Sequence, residues 1–116
     1  MHGGSASANG DVGIYAGYGS MIAATSARST NNAGSGFAAG GGSTLYVNSS
    51  TATGNGDPGY QSSDASYLEA VNTTASGNTQ AAYASYTNGF IYASPAGETS
   101  TLTQMSDTTD FIYGIP

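Results

Sequence analysis

The sequence predicts an all-β protein, either a small antiparallel sandwich or a jelly-roll-like domain, with long loops rich in glycine, serine and asparagine. Three observations lead to this prediction. Charged residues make up only 7% of the 116 residues, whereas glycine occurs 18 times and tyrosine 9 times. Short runs in which apolar and small residues alternate are separated by clusters of turn-forming residues. An Asn-Gly pair also lies between two β-prone runs, which is typical of a hairpin.

Residues 1–10 predict a flexible polar arm, and residues 11–116 predict a single β domain. The arm has neither the basic nor the apolar segment of a signal peptide, so no signal peptide is predicted in this chain. In residues 11–24, glycine and other small residues alternate with larger ones such as Val12 and Ile14. This period of two indicates a strand.

The next segments predict one strand between two stretches without regular structure. Residues 25–43 read as a long polar loop anchored by Phe37. Residues 44–48 predict a short strand with Leu45 and Val47 on one face. The following stretch, up to residue 63, contains a dense cluster of glycine, asparagine, aspartate and proline, and therefore predicts turns.

Residues 64–71 are compatible with two structures. Ser66 and Glu69 have the spacing of a capping box, which predicts at most one short helix here. Its apolar face would contain Tyr67, Leu68 and Val71. The same residues form a strand if Tyr67, Glu69 and Val71 lie together on one side. The pattern favours neither structure over the other.

Residues 82–94 predict a β-hairpin with Asn88-Gly89 at its tip, because a two-residue type I′ turn requires positive φ at both central positions. The register of this hairpin would place Tyr83, Phe90 and Tyr92 on one face.

The C-terminal region completes the predicted domain. Residues 99–105 predict a threonine-rich strand, residues 106–110 a turn, and residues 111–115 a final strand that Pro116 ends. No exact repeat of fixed length is apparent along the chain, which argues against a regular solenoid.

Composition excludes several partners. With a net charge of −6 and a single lysine or arginine, the chain lacks the basic surface that binds nucleic acid, and an anionic membrane would repel it. Its longest apolar runs are far shorter than the roughly 20 residues that span a bilayer, so no membrane insertion is predicted. The chain has no cysteine, which excludes disulfides and thiolate chemistry.

The sequence predicts no catalytic residue and no cofactor. His2 is the one histidine and lies in the polar arm, where a solvated side chain is the simplest interpretation. Most carboxylates fall in predicted turns, where aspartate is favoured for local hydrogen bonding. Weak calcium candidates are Asn55, Asp57 and Asp64, for which an ordinary turn is the alternative.

The shortage of large apolar side chains predicts that the protein is stabilised by association with copies of itself. We expect a non-enzymatic structural protein of a virion, such as a phage capsid decoration or tail-fibre subunit, that contacts other copies and a capsid or fibre protein. An extracellular filament or pilus-like subunit is one alternative, and a small carbohydrate-binding module is another. The residues predicted to form the assembly interface are Tyr15, Tyr18, Tyr83, Phe90, Tyr92, Phe111 and Tyr113.

Overall fold

A computed structural model describes residues 2–94, 102–104 and 111–114, which form fourteen short strands. No helix that could cross a membrane occurs among these residues. Numbered along the chain, the strands are β1 (Ser5–Ser7), β2 (Ile14–Ala16), β3 (Met21–Ala23), β4 (Arg28–Thr30), β5 (Phe37–Ala39), β6 (Thr44–Tyr46), β7 (Thr51–Thr53), β8 (Tyr60–Ser62), β9 (Tyr67–Val71), β10 (Thr74–Ser76), β11 (Tyr83–Ser85), β12 (Phe90–Ser94), β13 (Leu102–Gln104) and β14 (Phe111–Gly114).

The strands form three sheets, and the chain visits each sheet once per turn. The first sheet has the order β1-β4-β7-β10, the second β13-β11-β8-β5-β2 and the third β14-β12-β9-β6-β3. Every pairing among the described strands is parallel. The chain is therefore a solenoid of about four parallel turns. The predicted antiparallel sandwich or jelly roll is wrong, because each strand pairs with the strand one full turn away and not with its neighbour in sequence.

The turns stack in a constant register of 23 residues up to β12. Ser5 pairs with Arg28, Arg28 with Thr51, and Thr51 with Thr74. The expectation that the chain does not form a regular solenoid is thus wrong. At most positions the repeat is carried by the type of side chain and by backbone conformation, and at a few positions the same residue recurs in each of the first four turns, as at Asn32 and Asn55.

Columns of equivalent side chains fill the interior. The rings of Phe37, Tyr60 and Tyr83 stack with centroids 5.2 Å and 5.1 Å apart, and all three side chains are fully buried. A second column contains Leu45, Leu68 and Ile91, also fully buried. Alanine and serine occupy the interior positions of the first sheet, so the few large apolar residues are concentrated in two columns.

An asparagine ladder lies beside these columns. The backbone N–H and the side-chain Nδ2 of Asn32 both donate to Oδ1 of Asn55, at 3.1 and 2.9 Å. Asn9 donates in the same way to Asn32, and Asn55 to Asn78. Buried polar groups are stable only when they are hydrogen-bonded, and this ladder satisfies them in each turn.

The corners between the sheets recur in the same 23-residue register. Between the second and third sheets, two consecutive residues have positive φ in each of the first four turns, for example Asp64 and Ala65. In the fourth turn these residues are Thr87 and Asn88, and the N–H of Gly89 donates to the carbonyl of Tyr86 at 2.8 Å. The tight turn is therefore present. The predicted hairpin is wrong, because β11 and β12 diverge into different sheets.

Several predicted elements are divided or replaced by this architecture. The predicted strand at residues 11–24 is two strands, β2 and β3, and the predicted loop at 25–43 contains β4 and β5. The predicted turn segment that follows β6 contains β7 and β8. At residues 64–71 the helix is wrong and the strand is confirmed, because burial alternates along β9. Leu45 and Val47 are both buried, so they lie on the same, interior side of the chain as predicted.

Both ends of the predicted domain contain strands of the solenoid. Within the predicted polar arm, residues 1–10, β1 pairs with β4, and His2 forms an isolated bridge with Thr25. Of the predicted strands at 99–105 and 111–115, residues 102–104 and 111–114 form β13 and β14. The predicted turn at 106–110 lies outside the described residues.

Candidate binding face

The outer surface of the third sheet carries most of the aromatic side chains that do not enter the interior. Along β9, Leu68 and Ala70 point inwards and are fully buried, so Tyr67 and Glu69 point outwards. The in-register neighbours of these two residues continue the pattern on the adjacent turns. We call this surface the aromatic face, and it consists of Tyr46, Tyr67, Glu69, Phe90 and Tyr92.

The rings of the aromatic face are packed against one another. Tyr67 and Phe90 are stacked, with ring centroids 5.5 Å apart and ring planes 23° from parallel. Tyr46 meets the ring of Tyr67 edge-on at 6.4 Å. Both arrangements are favourable for aromatic pairs and restrict the rotation of the rings. The face is therefore a preorganised apolar surface.

Glu69 lies in the middle of this surface. Its in-register neighbours are Tyr46 on one side and Tyr92 on the other. One carboxylate oxygen accepts a hydrogen bond from Nδ2 of Asn48 at 2.9 Å, and the other accepts from the hydroxyl of Tyr67 at 3.2 Å. These bonds hold the carboxylate in one orientation.

The surroundings of Tyr67 raise the pKa of its hydroxyl to about 12. Burial is the largest cause, followed by the charge of Glu69 and the hydrogen bond to its carboxylate. Tyr46 and Tyr92 contribute in the same direction. At neutral pH the Tyr67 hydroxyl is therefore protonated and donates its hydrogen bond to Glu69.

The residues predicted to form an interface occupy several different places. Phe90 and Tyr92 belong to the aromatic face, and the backbone of β14 pairs Phe111 with Phe90 and Tyr113 with Tyr92. Tyr15 is half exposed on the second sheet, and Tyr18 is 96% exposed at a corner. Tyr83 is fully buried in the interior stack, where its hydroxyl lies 2.7 Å from that of Thr73, so its ring is not available to a partner.

The three calcium candidates do not form one site. Asn55 is buried in the asparagine ladder, where its Oδ1 and Nδ2 are both engaged. Asp57 accepts a hydrogen bond from Nε2 of Gln80 at 2.7 Å, and Asp64 is exposed at a corner with positive φ. Among the described residues, no group of three or more acidic or histidine side chains could hold a metal ion.

The sequence interpretation missed Tyr46, Tyr67 and Glu69 as parts of one surface. Tyr46, Glu69 and Tyr92 are each 23 residues from the next, as are Tyr67 and Phe90. Recognising the period would have placed these residues in two adjacent rows. Without the period, Tyr46 and Glu69 belong to unrelated segments.

The first turn provides a second candidate surface. Among the described residues, β1, β2 and β3 each pair with a single strand, so one edge of each sheet is open at this end. The interior columns also end there: Ile14 and Ile22 are only partly buried, whereas the equivalent Phe37 and Leu45 in the next turn are fully buried.

Comparison with known proteins gives one match. The family described as a right handed beta helix region matches residues 2–106, a range that includes every strand from β1 to β13. Neither the curated proteins nor the solved structures give a match to this chain.

Proposed function

We propose that this chain, which belongs to the right-handed β-helix family, is a non-enzymatic structural subunit that associates with copies of itself through the open end of its first turn. A virion is the proposed setting, as a capsid decoration or tail-fibre subunit. An extracellular filament built by the same intermolecular strand contacts is the alternative. The observation that carries the proposal is that, within the part of the chain that the structure describes, β1, β2 and β3 are each paired on one side only.

The backbone at this end is suited to pairing with another strand. On the side that faces β6, the backbone is already paired. The N–H of Thr44 in β6 donates to the carbonyl of Ser20, and the N–H of Ala24 donates to the carbonyl of Tyr46 in β6. Because successive residues of a strand direct their backbone groups to opposite sides, those of Met21 point away from β6. Open edges of this kind are templates for intermolecular pairing.

The side chains at the open end support the same proposal. Proteins commonly protect strand edges with lysine, and this chain has none. Met21 is 70% exposed, and the interior side chains of Ile14 and Ile22 are incompletely covered. A second copy stacked on this end would bury these apolar groups and extend the sheets.

Sedimentation of the Met21→Pro variant tests this proposal. Proline removes the outward N–H but no hydrogen bond within the subunit, and it is tolerated on edge strands. We expect the variant to fold like the wild type and to associate at least about tenfold more weakly, a difference of about 1.4 kcal/mol. The matched control is Met21→Thr, which keeps the N–H and copies Thr44 of the next turn. A wild-type chain that remains monomeric at all concentrations would refute the proposal.

The aromatic face favours a second candidate function, carbohydrate binding. Rings held rigidly in adjacent rows form an apolar surface against which sugar rings can pack. Glu69 is the one carboxylate on this face among the described residues. Hydrolysis of a glycosidic bond ordinarily requires two carboxylates, so we propose binding without cleavage.

A further inference from the structure

The outer surface of the first sheet is an array of hydroxyl groups. In each of its four strands the middle residue is the least exposed, so the first and third residues point outwards. The first residues pair in register as one row, which contains Ser5, Arg28, Thr51 and Thr74. The third residues form a second row, which contains Ser7, Thr30, Thr53 and Ser76. We call these two rows the hydroxyl face, in which Arg28 is the single exception to serine and threonine.

The other two sheets show that stacking of the turns does not require hydroxyl groups at outward positions. In the second sheet the outward residues that pair in register are Tyr15, Ala38, Gln61 and Ala84. The third sheet has the aromatic face at its outer surface. Among the described strands, the first sheet alone keeps one chemical class throughout its rows. The hydroxyl groups are therefore a property of this surface and not a consequence of strand pairing.

The threonine hydroxyls of this face are available to a ligand. The N–H of Thr51 donates to the carbonyl of Ala27, and the carbonyl of Thr53 accepts from the N–H of Asn31, each at 3.0 Å. These are bonds of the backbone, and within the described part of the chain no hydrogen bond holds the hydroxyl of Thr51 or Thr53. Each hydroxyl therefore keeps one donor and two acceptor positions for groups outside the protein.

The face is also rigid before any ligand binds. Threonine is branched at Cβ, which restricts rotation about χ1. Beneath the face, Ser29, Ala52 and Ala75 are buried, and the asparagine ladder joins the turns at the corner that follows. Side-chain ladders of this kind keep stacked strands flat. The hydroxyl and methyl groups are thus held in a lattice that repeats in two directions.

The two repeats of this lattice follow from sheet geometry. Neighbouring strands are about 4.8 Å apart, and outward residues of one strand are about 6.6 Å apart. Water oxygens at the surface of an ice crystal also repeat in two directions at intervals of this size. A threonine hydroxyl can hydrogen-bond a water molecule at such a position, and its methyl group fills the gap between water molecules.

We propose that the hydroxyl face binds ice. Ice is a neutral solid, and among its outward residues the face contains no acidic side chain and one basic side chain, Arg28. The other common solid with a regular surface is a crystalline polysaccharide, which aromatic rings suit better than short hydroxyl side chains. This activity does not depend on self-association or on the aromatic face.

Slow freezing of a dilute solution of the protein tests the proposal. Growing ice excludes ordinary solutes into the remaining liquid, whereas a protein that binds its surface is incorporated. We expect the protein to be enriched in the ice fraction relative to an unrelated acidic protein of similar size. A seeded ice crystal in the protein solution should also freeze at a lower temperature than it melts. Exclusion of the protein from ice to the same extent as the reference protein would overturn the proposal.

The decisive variant is Thr53→Lys, which places a long charged side chain within the rows. We expect it to lose most of the enrichment in ice. The matched control, Thr44→Lys, makes the same substitution at a half-buried outward position of the third sheet and should retain the enrichment. Thermal unfolding of both variants verifies that they are folded. Equal enrichment of the two folded variants would show that the hydroxyl face is not the contact.

A pull-down with microcrystalline cellulose and chitin tests the choice of ice over a polysaccharide. We expect neither solid to remove the wild-type protein from solution through this face, so Thr53→Lys should behave like the wild type. Removal of the wild type but not of Thr53→Lys would overturn the assignment of ice as the ligand.

Discussion

Asn55 connects three turns of the solenoid through one side chain. Its Oδ1 accepts two hydrogen bonds from Asn32, and its Nδ2 donates to Oδ1 of Asn78 and to the carbonyl of Ser29. Taken alone, the Gly-Asn-Gly-Asp segment predicts that Asn55 is part of a turn or a weak calcium ligand. Sequence reasoning could not assign its role, because the role depends on asparagines one turn away on either side.

Replacing Asn55 with alanine should lower the free energy of unfolding by about 2–4 kcal/mol, since several buried donors and acceptors lose their partner. The control is Asn9→Ala. Asn9 is the exposed first member of the same ladder, where water replaces the lost amide, so a decrease of about 0.5 kcal/mol is expected. Urea denaturation of both variants measures the difference. Equal losses would show that the ladder contributes nothing beyond local packing.

Three tyrosines make stability depend on alkaline pH. Burial raises the pKa of Tyr60 far above its usual value of 10, burial and then Glu69 raise that of Tyr67 to about 12, and burial followed by the charge of Asp57 raises that of Tyr86. Unfolding releases these protons near pH 10, whereas the folded protein retains them. The contribution of these phenols to the free energy of unfolding is therefore fully present below pH 10 and is lost as the pH rises towards 12.

Urea unfolding midpoints at several pH values measure this dependence. The midpoint should be constant below pH 10 and fall progressively above it. In Tyr67→Phe the contribution of that phenol disappears, so the decrease between pH 10 and about 12 should be shallower. A midpoint that stays constant throughout the alkaline range would contradict this prediction.

At the scale of elements, the pattern indicated strands correctly but not their ends. The interior positions Ile14, Ala16, Ile22 and Ala24 are all even-numbered, because the corner between β2 and β3 does not change the alternation. A period-two pattern therefore continues through the corner and predicts one long strand. At the corner itself, Tyr18 and Gly19 both have positive φ. A pattern of apolar residues does not indicate a bend of this kind.

Corners limit side-chain size as well as conformation. A Cβ added to Gly56, which lies between β7 and β8, would come 2.1 Å from the carbonyl oxygen of Ala33 in the previous turn. Gly56→Ala should therefore destabilise the protein by about 1–3 kcal/mol, since the backbone must move to relieve the contact. At Gly10 an added Cβ meets nothing within 4 Å, so Gly10→Ala should remain within about 0.5 kcal/mol of the wild type. Thermal unfolding distinguishes the two, and similar midpoints would refute the packing argument.

At the scale of the whole molecule, composition indicated a β-rich chain that lacks a conventional core, and the structure shows how the available residues are used. Phe37, Tyr60 and Tyr83 stack in one column, although they are far apart in sequence. The parallel arrangement could not be derived, because the Asn88-Gly89 pair matches the strongest local signal for antiparallel pairing. Only the 23-residue period distinguishes the two topologies, and at most positions it is kept in chemical character and not in residue identity.

Each turn of a solenoid contacts only its neighbours, which makes the number of turns adjustable. Duplicating residues 28–50 should insert one further turn, lengthen the protein by about 4.8 Å and preserve a cooperative unfolding transition. The matched control duplicates residues 28–49, which is one residue short and moves later interior side chains to the outer surface. X-ray scattering and thermal unfolding of the two proteins measure length and cooperativity. Equal stability of both insertions would show that the register is not required.

The constant register also determines how the protein responds to mechanical force. Hydrogen bonds between turns run along the solenoid axis, so a force that pulls the two ends apart along this axis loads the terminal turn first. Each turn that detaches adds 23 residues to the unfolded segment, and each extended residue adds up to about 3.4 Å of length. The force then acts on the next turn. In single-molecule stretching we therefore expect a series of equal increases in length, one for each turn that detaches.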